Sequence, residues 1–258
     1  MFGAGFSWTA EVTSRTSAGR PRHFVVMPHQ CVYFEDRDAR SQVLHPLELR
    51  SAAAYSDLAR AGFRRTGDDL YRPRCQSCEA CIPTRVAVER FRWGRRFRRV
   101  LKRNADLVVH AERATPDCEG LDLYARYICG RHTDGGMYPP SPGQLHSMLR
   151  ADWAGTFLLN VRLDGRLVAS AVTDTLEDGL AAVYTYFDPD LAGRSLGVFA
   201  ILQQVEECRR RGLPYLYLGF WIAELRKMRY KIEYQPAQLL IDGRWREIRR
   251  AEPAGTDA

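Results

Sequence analysis

Asp-Gly steps punctuate the second half of the chain, at Asp164-Gly165, Asp178-Gly179 and Asp242-Gly243, and they constrain its fold more than any other feature. Tight hairpin turns need φ > 0 at their central residues, which this dipeptide tolerates, and their twist matches that of the flanking strands. Asp164-Gly165 separates strand-length runs at 156–163 and 166–174. The turn Glu177-Asp178-Gly179 leads to a third run at 180–187, and Asp242-Gly243 centres a last hairpin. Between the third run and an apolar one at 215–219 lies a helical pattern, 196–211, stopped by Gly212 and Pro214. A meander followed by helix and strand predicts an α/β (α+β) domain. Its central sheet is mostly antiparallel, with one βαβ crossover over 180–219.

Caps and periodicity place the other elements. Pro46 near the start and Gly62 at the end bound a helix over 46–61, and Gly67-Asp68 turns a hairpin over 63–71. Residues 86–88 read as a short strand, and 95–103 as a helix with Phe97, Val100 and Leu101 on one face and arginines elsewhere. Leu121, Tyr124 and Ile128 mark another helical face. Ser141-Pro142-Gly143-Gln144 is a capping box for a helix reaching about residue 153. We divide the chain into a disordered tail (1–22), a smaller cysteine-containing N-terminal domain (23–113), a larger C-terminal domain (114–250) and a second tail (251–258).

The formal net charge is +7, which favours a polyanionic partner. Of 38 cationic residues only Lys102, Lys227 and Lys231 are lysines. Codon usage alone accounts for such a bias, yet lysine then stands out as a compact ammonium where it does occur. Arg85, Arg90, Arg92, Arg95, Arg96, Arg98, Arg99, Lys102 and Arg103 crowd one segment, interleaved with Phe91, Trp93 and Phe97 and without an acid over 91–104. Counterion release on a phosphate backbone offsets such crowding, and the rings are candidates for stacking on unpaired bases. We therefore expect Arg95, Arg96, Arg98, Arg99, Lys102 and Arg103 to bind nucleic acid, a solvated face being the alternative. No apolar run approaches the roughly 20 residues that span a bilayer. The first 22 residues lack the apolar core of a signal peptide. No membrane partner and a cytoplasmic location are the expectation.

Cys75, Cys78 and Cys81 follow a C-x2-C-x2-C rhythm, and Cys31 is the only other cysteine before Cys118. Thiolates so spaced reach one metal from a tight turn, so the four are a candidate shell for zinc or an iron–sulfur cluster, which spacing does not separate. Reduced or transiently paired thiols near a substrate channel are the alternative. Cys118, Cys129 and Cys208 are scattered and read as small buried residues.

The predicted element order is also that of acyltransferases of the GCN5-related type, in which a splayed strand pair opens a cleft for the acyl donor. Those that use coenzyme A carry Gln/Arg-x-x-Gly-x-Gly/Ala at the start of the long helix, where backbone N–H groups cradle a pyrophosphate. Arg194 and Gly197 match, but Phe199 stands where a tiny residue lets the backbone approach. That argues against coenzyme A and leaves Arg194 to meet another phosphate, such as one near a tRNA 3′ end.

Several motifs stand together in one order. They are Tyr33 two residues after Cys31, Gly62-Phe63-Arg64-Arg65, and Tyr71-Arg72-Pro73 ahead of the cysteines. His132-x-Asp134-Gly135-Gly136-Met137-Tyr138 follows, then Ala182-Val183-Tyr184-Thr185-Tyr186-Phe187-Asp188-Pro189. Last come Tyr215-Leu216-Tyr217-Leu218-Gly219-Phe220-Trp221-Ile222 and Lys227-Met228-x-Tyr230-Lys231. With these the chain resembles the bacterial aspartate/glutamate leucyltransferases, or leucyl-tRNA–protein transferases, relatives of the eukaryotic arginyltransferases. The likeness covers nearly all of 23–245 and departs at Phe220, where a tyrosine is expected. It implies transfer of leucine from leucyl-tRNA to proteins beginning with Asp or Glu, which marks them for N-degron degradation. Rival readings are an arginyl-tRNA donor, a coenzyme A-dependent acetyltransferase, and a metal-stapled nucleic-acid-binding module without catalysis.

An aminoacyl ester is already activated, so an aligned neutral amine attacks it and the chemistry asks for no cofactor. Positioning and oxyanion stabilisation supply most of the rate. The acceptor's acidic side chain calls for fixed positive charge. Lys227 and Lys231, spaced i, i+4 with Tyr230 beside them, are expected on one helical face as a carboxylate or phosphate site. Arg64 and Arg65 are the alternative cations, and a solvated face is the bland reading of either pair. Asp188, on a strand with Tyr184, is a candidate proton acceptor or else a turn cap before Pro189. His132 and Asp134 are the other base candidates, or else they order the Gly135-Gly136 loop. Trp221 lines an aminoacyl pocket or packs in the core.

Overall fold

The computed structural model describes residues 10–11, 21–48 and 50–248; the expected tail 251–258 and most of the tail 1–22 lie outside them. The chain opens with β1 (Ala10–Glu11), β2 (His23–Val26), β3 (His29–Gln30), β4 (Asp38–Ala39), β5 (Ser41–Leu44), α1 (Ala52–Arg60), β6 (Arg64–Thr66) and β7 (Asp69–Pro73). It continues through β8 (Ile82–Ala87), α2 (Arg95–Arg103), β9 (Val108–Arg113), α3 (Cys118–Arg131), α4 (Pro142–Leu149), β10 (Phe157–Leu163), β11 (Arg166–Leu176) and β12 (Gly179–Phe187). Then come α5 (Leu196–Arg210), β13 (Tyr215–Trp221), α6 (Arg226–Arg229), β14 (Ala237–Ile241) and β15 (Arg244–Ile248).

The larger sheet runs β15-β14-β8-β13-β12-β11-β10-β9, and a smaller one runs β1-β2-β5-β7-β6. Only β12 and β13, the arms of the crossover through α5, pair in parallel within the larger sheet. The mixed α/β architecture and mostly antiparallel sheet are thus as expected. The division at 113/114 does not coincide with the division between sheets. β8 lies between β13 and β14, and β9 forms the far edge of the same sheet. β8 is drawn there by burial: Val86, and Val88 just past its end (0% and 1% exposed), belong to the main core with α5. Residues 10 and 11, placed in the tail from sequence, pair with Val26 and Val25.

Local chemistry explains the element ends. The α1 helix starts at Ala52 rather than Pro46, because the Ser51 hydroxyl accepts from the Ala54 N–H at 3.2 Å. Gly62, at φ +86°, lets the Phe63 N–H return to the Leu58 carbonyl and close the helix. The Ser141–Gln144 capping box forms, but α4 ends at Leu149 and only a 3-10 turn follows at Asp152–Ala154. Phe97 and Val100 of α2 turn inward, and the Phe97 ring stacks between Phe91 (5.6 Å) and Tyr234 (5.0 Å). Phe91 and Phe97 therefore build the core instead of presenting rings to bases, and Trp93 packs half-buried on Phe91. Cys208 is buried as expected, whereas Cys118 and Cys129 are exposed on α3.

One buried ion pair joins the two sheets. The Arg65 guanidinium on β6 grips the Asp174 carboxylate on β11 with two bonds, of 2.7 and 2.9 Å, and both side chains are 0% exposed. The remaining polar atoms are satisfied. Arg65 also donates to the Gly67 and Met148 carbonyls, and Asp174 accepts from Tyr55 and Thr156. A pair so placed rewards neither partner alone: removing one leaves an uncompensated buried charge. Asp174→Ala is expected to lose about 3–5 kcal/mol in chemical denaturation. The volume-matched Arg65→Met/Asp174→Leu double variant is expected to recover most of it, and additive losses would refute this account.

Candidate active site

The sheet opens at its middle. Pairing of β12 with β13 extends only over Gly179–Ala181 and Tyr215–Tyr217, after which the strands part. Each carries a bulge just beyond: the register slips between Val172 and Thr173 opposite β12, and between Tyr217 and Gly219 of β13. Residues 182–185 are consequently only half-buried, although they lie in a central strand.

Arg64 fills the parting. Its guanidinium donates to the Val183 carbonyl at 3.3 Å and faces the Phe220 ring at 5.8 Å. Gly219 beside it sits at φ +76°, a backbone conformation that side chains rarely adopt, and a Cβ there would just touch the guanidinium at 3.4 Å. Lys231 is 6% exposed and donates to the Phe220 carbonyl at 2.6 Å. Burial pushes its ammonium down to about 7, Arg64 adds to that fall, and Cys81 opposes it. The phenols of Tyr71, Tyr33, Tyr55 and Tyr230 act on Arg64, and among the described residues neither Arg64 nor Lys231 forms an ion pair with an Asp or Glu. Two cations thus share a ring-walled cleft without a carboxylate.

The opposite wall comes from α3. Tyr127 stands near Tyr184 (6.3 Å between ring centres) and feels Tyr230, so it links the two sides of the cleft. Its hydroxyl lies 3.0 Å from His132 Nε2. Burial, then the nearby Lys227 charge, lowers the His132 pKa and keeps the imidazole neutral at pH 7. At the rim, Lys227 bonds Asp134 at 3.1 Å, tying the 132–138 loop to α6. Both partners are more than 70% exposed (73% and 71%), so the contact contributes little stability.

The structure therefore places Tyr230 and Lys231 beside Arg64, connects Tyr184 and His132 to one another through Tyr127, and ties Lys227 to Asp134 at the edge. It corrects the rest. Lys227 and Lys231 do not share a helical face, because α6 ends at Arg229 and a 3-10 turn carries Lys231 inward. Arg65 is consumed by Asp174. Asp188 is 1% exposed and clamped by Arg166 (2.6 Å) and Arg126 (3.1 Å), besides capping the Asp190 N–H. Burial alone would raise its pKa, but these contacts outweigh it and hold the carboxyl below the usual range, so it is no proton acceptor. Arg194 is spent on a two-bond pair with Asp106 at 2.8 Å. Trp221 directs its N–H to the Arg229 carbonyl at the far end of β13. Phe199, 3% exposed, is core. Tyr127 went unnoticed from sequence; its only signal was the place one residue before Ile128 on the inward face of α3.

The four thiols Cys31, Cys75, Cys78 and Cys81 are half-buried and unpaired. Burial, then the three neighbouring thiols, pushes Cys81 up to about 12, so it stays protonated. Arg37 donates to Cys78 Sγ at 3.5 Å, and Cys75 Sγ donates to the Arg40 carbonyl at 3.8 Å. Among the described residues no three His, Cys, Asp or Glu side chains already stand as a preformed ion site, and the four thiols lie as neighbours around Cys81.

On α2 all six predicted cations are exposed. Arg96 pairs with Glu233, and Arg103 donates to the Gly193 carbonyl. Arg95, Arg98, Arg99 and Lys102 have no ion-pair partner among the described residues. No described helix is long and apolar enough to cross a membrane.

Comparison with known proteins agrees with this layout. Residues 29–99 match the family model of the arginine-tRNA-protein transferase N terminus, and residues 119–241 match that of its C terminus. An aspartate/glutamate leucyltransferase of Alcanivorax borkumensis is 53% identical over 90% of this chain and 95% of its own. One of Pseudomonas fluorescens is 46% identical over 89% of this chain and 98% of its own. Among solved structures, L-PGS from Bacillus licheniformis aligns at 12% identity and a TM-score of 0.40, over 56% of this chain and 46% of that one, too slight a likeness to argue from. With both halves of the transferase matched and relatives spanning almost its whole length, the chain belongs to the aspartate/glutamate leucyltransferase family.

Proposed function

We propose that this protein transfers the leucyl group of leucyl-tRNA to the α-amine of proteins whose first residue is Asp or Glu. The observation that carries the reading is the Arg64–Lys231 cation pair, enclosed by tyrosines and left without an acid. A buried charge without a counter-charge is costly, and an incoming carboxylate removes the cost. The acceptor's acidic side chain supplies that carboxylate, and its binding restores the proton to Lys231. Held there, the α-amine faces the donor ester. The new N–C bond forms as the ester C–O bond breaks. His132, neutral and aligned by Tyr127, takes the amine proton and returns one to the departing ribose oxygen. The ester is the energy source, so the reaction needs no oxidant or acyl carrier. The exposed cations of α2 hold the tRNA backbone. The same reading places the protein in the cytoplasm, where charged tRNA is made, and makes its products substrates of N-degron degradation.

Lys231→Met is expected to lower kcat/KM for Asp-headed peptides roughly 10²–10³-fold, the loss typical when one partner of a buried charge contact is removed. It should not lower stability in denaturation, because the lysine is buried against its own charge. A stable variant with wild-type transfer would refute the assignment.

The pH profile follows with its sign. The cationic Lys231 required for carboxylate binding is lost as pH rises through about 7, while the acceptor amine is freed toward about 7.7–8.0. The kcat/KM profile of the wild type is expected to peak between about 7 and 8 and fall on the alkaline side. The residual activity of Lys231→Met should keep rising to about 8, and an unchanged alkaline fall would count against Lys231.

For α2, replacing Arg95, Arg98, Arg99 and Lys102 by Gln should weaken tRNA binding. The slope of log K against log salt should flatten by about 3. A slope equal to that of the wild type in filter binding would remove the helix from the tRNA interface.

A further inference from the structure

Behind Arg64 the parting of β12 and β13 continues into a crevice on the side of the larger sheet that α1 covers, about 430 Å³ including its open mouth. Ala59 and Gly62 at the end of α1, Ala181 on β12, Pro83 on β8, and the rings of Phe63 and Phe220 form its walls. Gly62 is small of necessity, since a Cβ there would come within 2.7 Å of Leu240 and 2.8 Å of Pro83. Among the described residues no Asp or Glu lines the space, and the hydroxyls of Tyr55, Thr84 and Tyr217 beside it already donate to Asp174, the Gln238 carbonyl and Asp178. Its two cations are engaged, Arg65 by Asp174 and Arg64 by the Val183 carbonyl at the mouth.

Such a space accepts one kind of guest. A short aliphatic chain gains by leaving water against these walls. A guanidinium or ammonium would arrive beside Arg64 and Arg65 with no carboxylate to meet it. Arg64 and Phe220 line the crevice, and the Phe220 carbonyl is the one that Lys231 bonds at 2.6 Å, so a side chain seated inside would leave its carbonyl carbon beside these two cations. We propose that this crevice is the subsite for the side chain of the donor amino acid, and that Ala181 and Phe63 set the length and width it admits. The proposal rests on the leucyl-transfer reading above and adds where the amino acid is selected.

The test compares donors. One tRNA is charged in parallel with leucine, alanine, phenylalanine or arginine, and transfer to an Asp-headed peptide is followed for wild type, Ala181→Leu and Phe63→Ala. Ala181→Leu fills the crevice and is expected to reduce the leucine-to-alanine ratio of kcat/KM at least tenfold. Phe63→Ala widens it and should raise the phenylalanine-to-leucine ratio at least tenfold. A ratio cancels any loss common to all donors from impaired folding. Should Ala181→Leu not fold, Ala59→Val narrows the same space from the helix side and is read by the same ratio. Variants that keep the wild-type order of donors overturn the subsite and leave leucyl transfer standing. A wild-type protein that transfers from none of these donors overturns the functional reading instead.

Discussion

The buried pair of Arg65 and Asp174 is the contact on which the site's geometry depends. It clamps β6 of the smaller sheet onto β11 of the larger one, with every polar atom of the junction bonded. Successive side chains of a strand point to opposite faces. Once Arg65 turns inward to Asp174, its neighbour Arg64 is turned the other way, to the Val183 carbonyl in the parting of β12 and β13. Two adjacent arginines with one chemistry thus acquire different tasks, the first exposed to the cleft and the second sealed in the joint. Both border the crevice behind the parting, but only Arg64 keeps a guanidinium that no acid has claimed.

Much of the fold is written in local signals. The Asp-Gly turns, the Ser141 capping box, Gly62 as a helix stop and the inward Phe97-Val100 stripe all act within a few residues, and each appears where the sequence places it. What is hidden is long-range. β8 inserts between β13 and β14, partners more than 100 residues on in the chain, and nothing within β8 names them. Asp174 lies 109 residues from Arg65. Asp188 looked catalytic because a carboxylate before a proline at a strand end suits that role; Arg126 and Arg166, one on α3 and one on β11, decide otherwise. Lys227 and Lys231 part for a simpler reason: i, i+4 neighbours share a face only on a continuous α-helix, and α6 has four residues.

Satisfaction of charge separates structure from function here. Asp174 and Asp188 are as buried as any polar side chain in the protein, but each meets cations and donors on every side. Arg194 and Arg96 have acids facing them. Arg64 and Lys231 differ: they are enclosed, close to each other, and faced by phenols, a carbonyl and a thiol. A fold selected only for stability would have supplied a carboxylate or removed the charge, since either route is favourable. Retaining two uncompensated cations is the cost of keeping a place for a negative group brought from outside.

That cost also explains why one of the two is a lysine in a chain whose cations are nearly all arginines. A second guanidinium beside Arg64 would remain charged whether or not the cleft was filled, because its pKa lies beyond any physiological pH. Lys231 does not carry that burden. Burial brings its pKa down to about 7, so an empty cleft can release the proton and an incoming carboxylate can draw it back. Near neutral pH the resting state then holds less than two full charges, and the ligand that needs the second draws it back. A neutral acceptor residue summons nothing and meets only a hydrogen-bonding amine. Discrimination for Asp and Glu therefore arises from the change of charge itself as well as from the fit of the cleft, and it requires at this position a cation able to lose its proton.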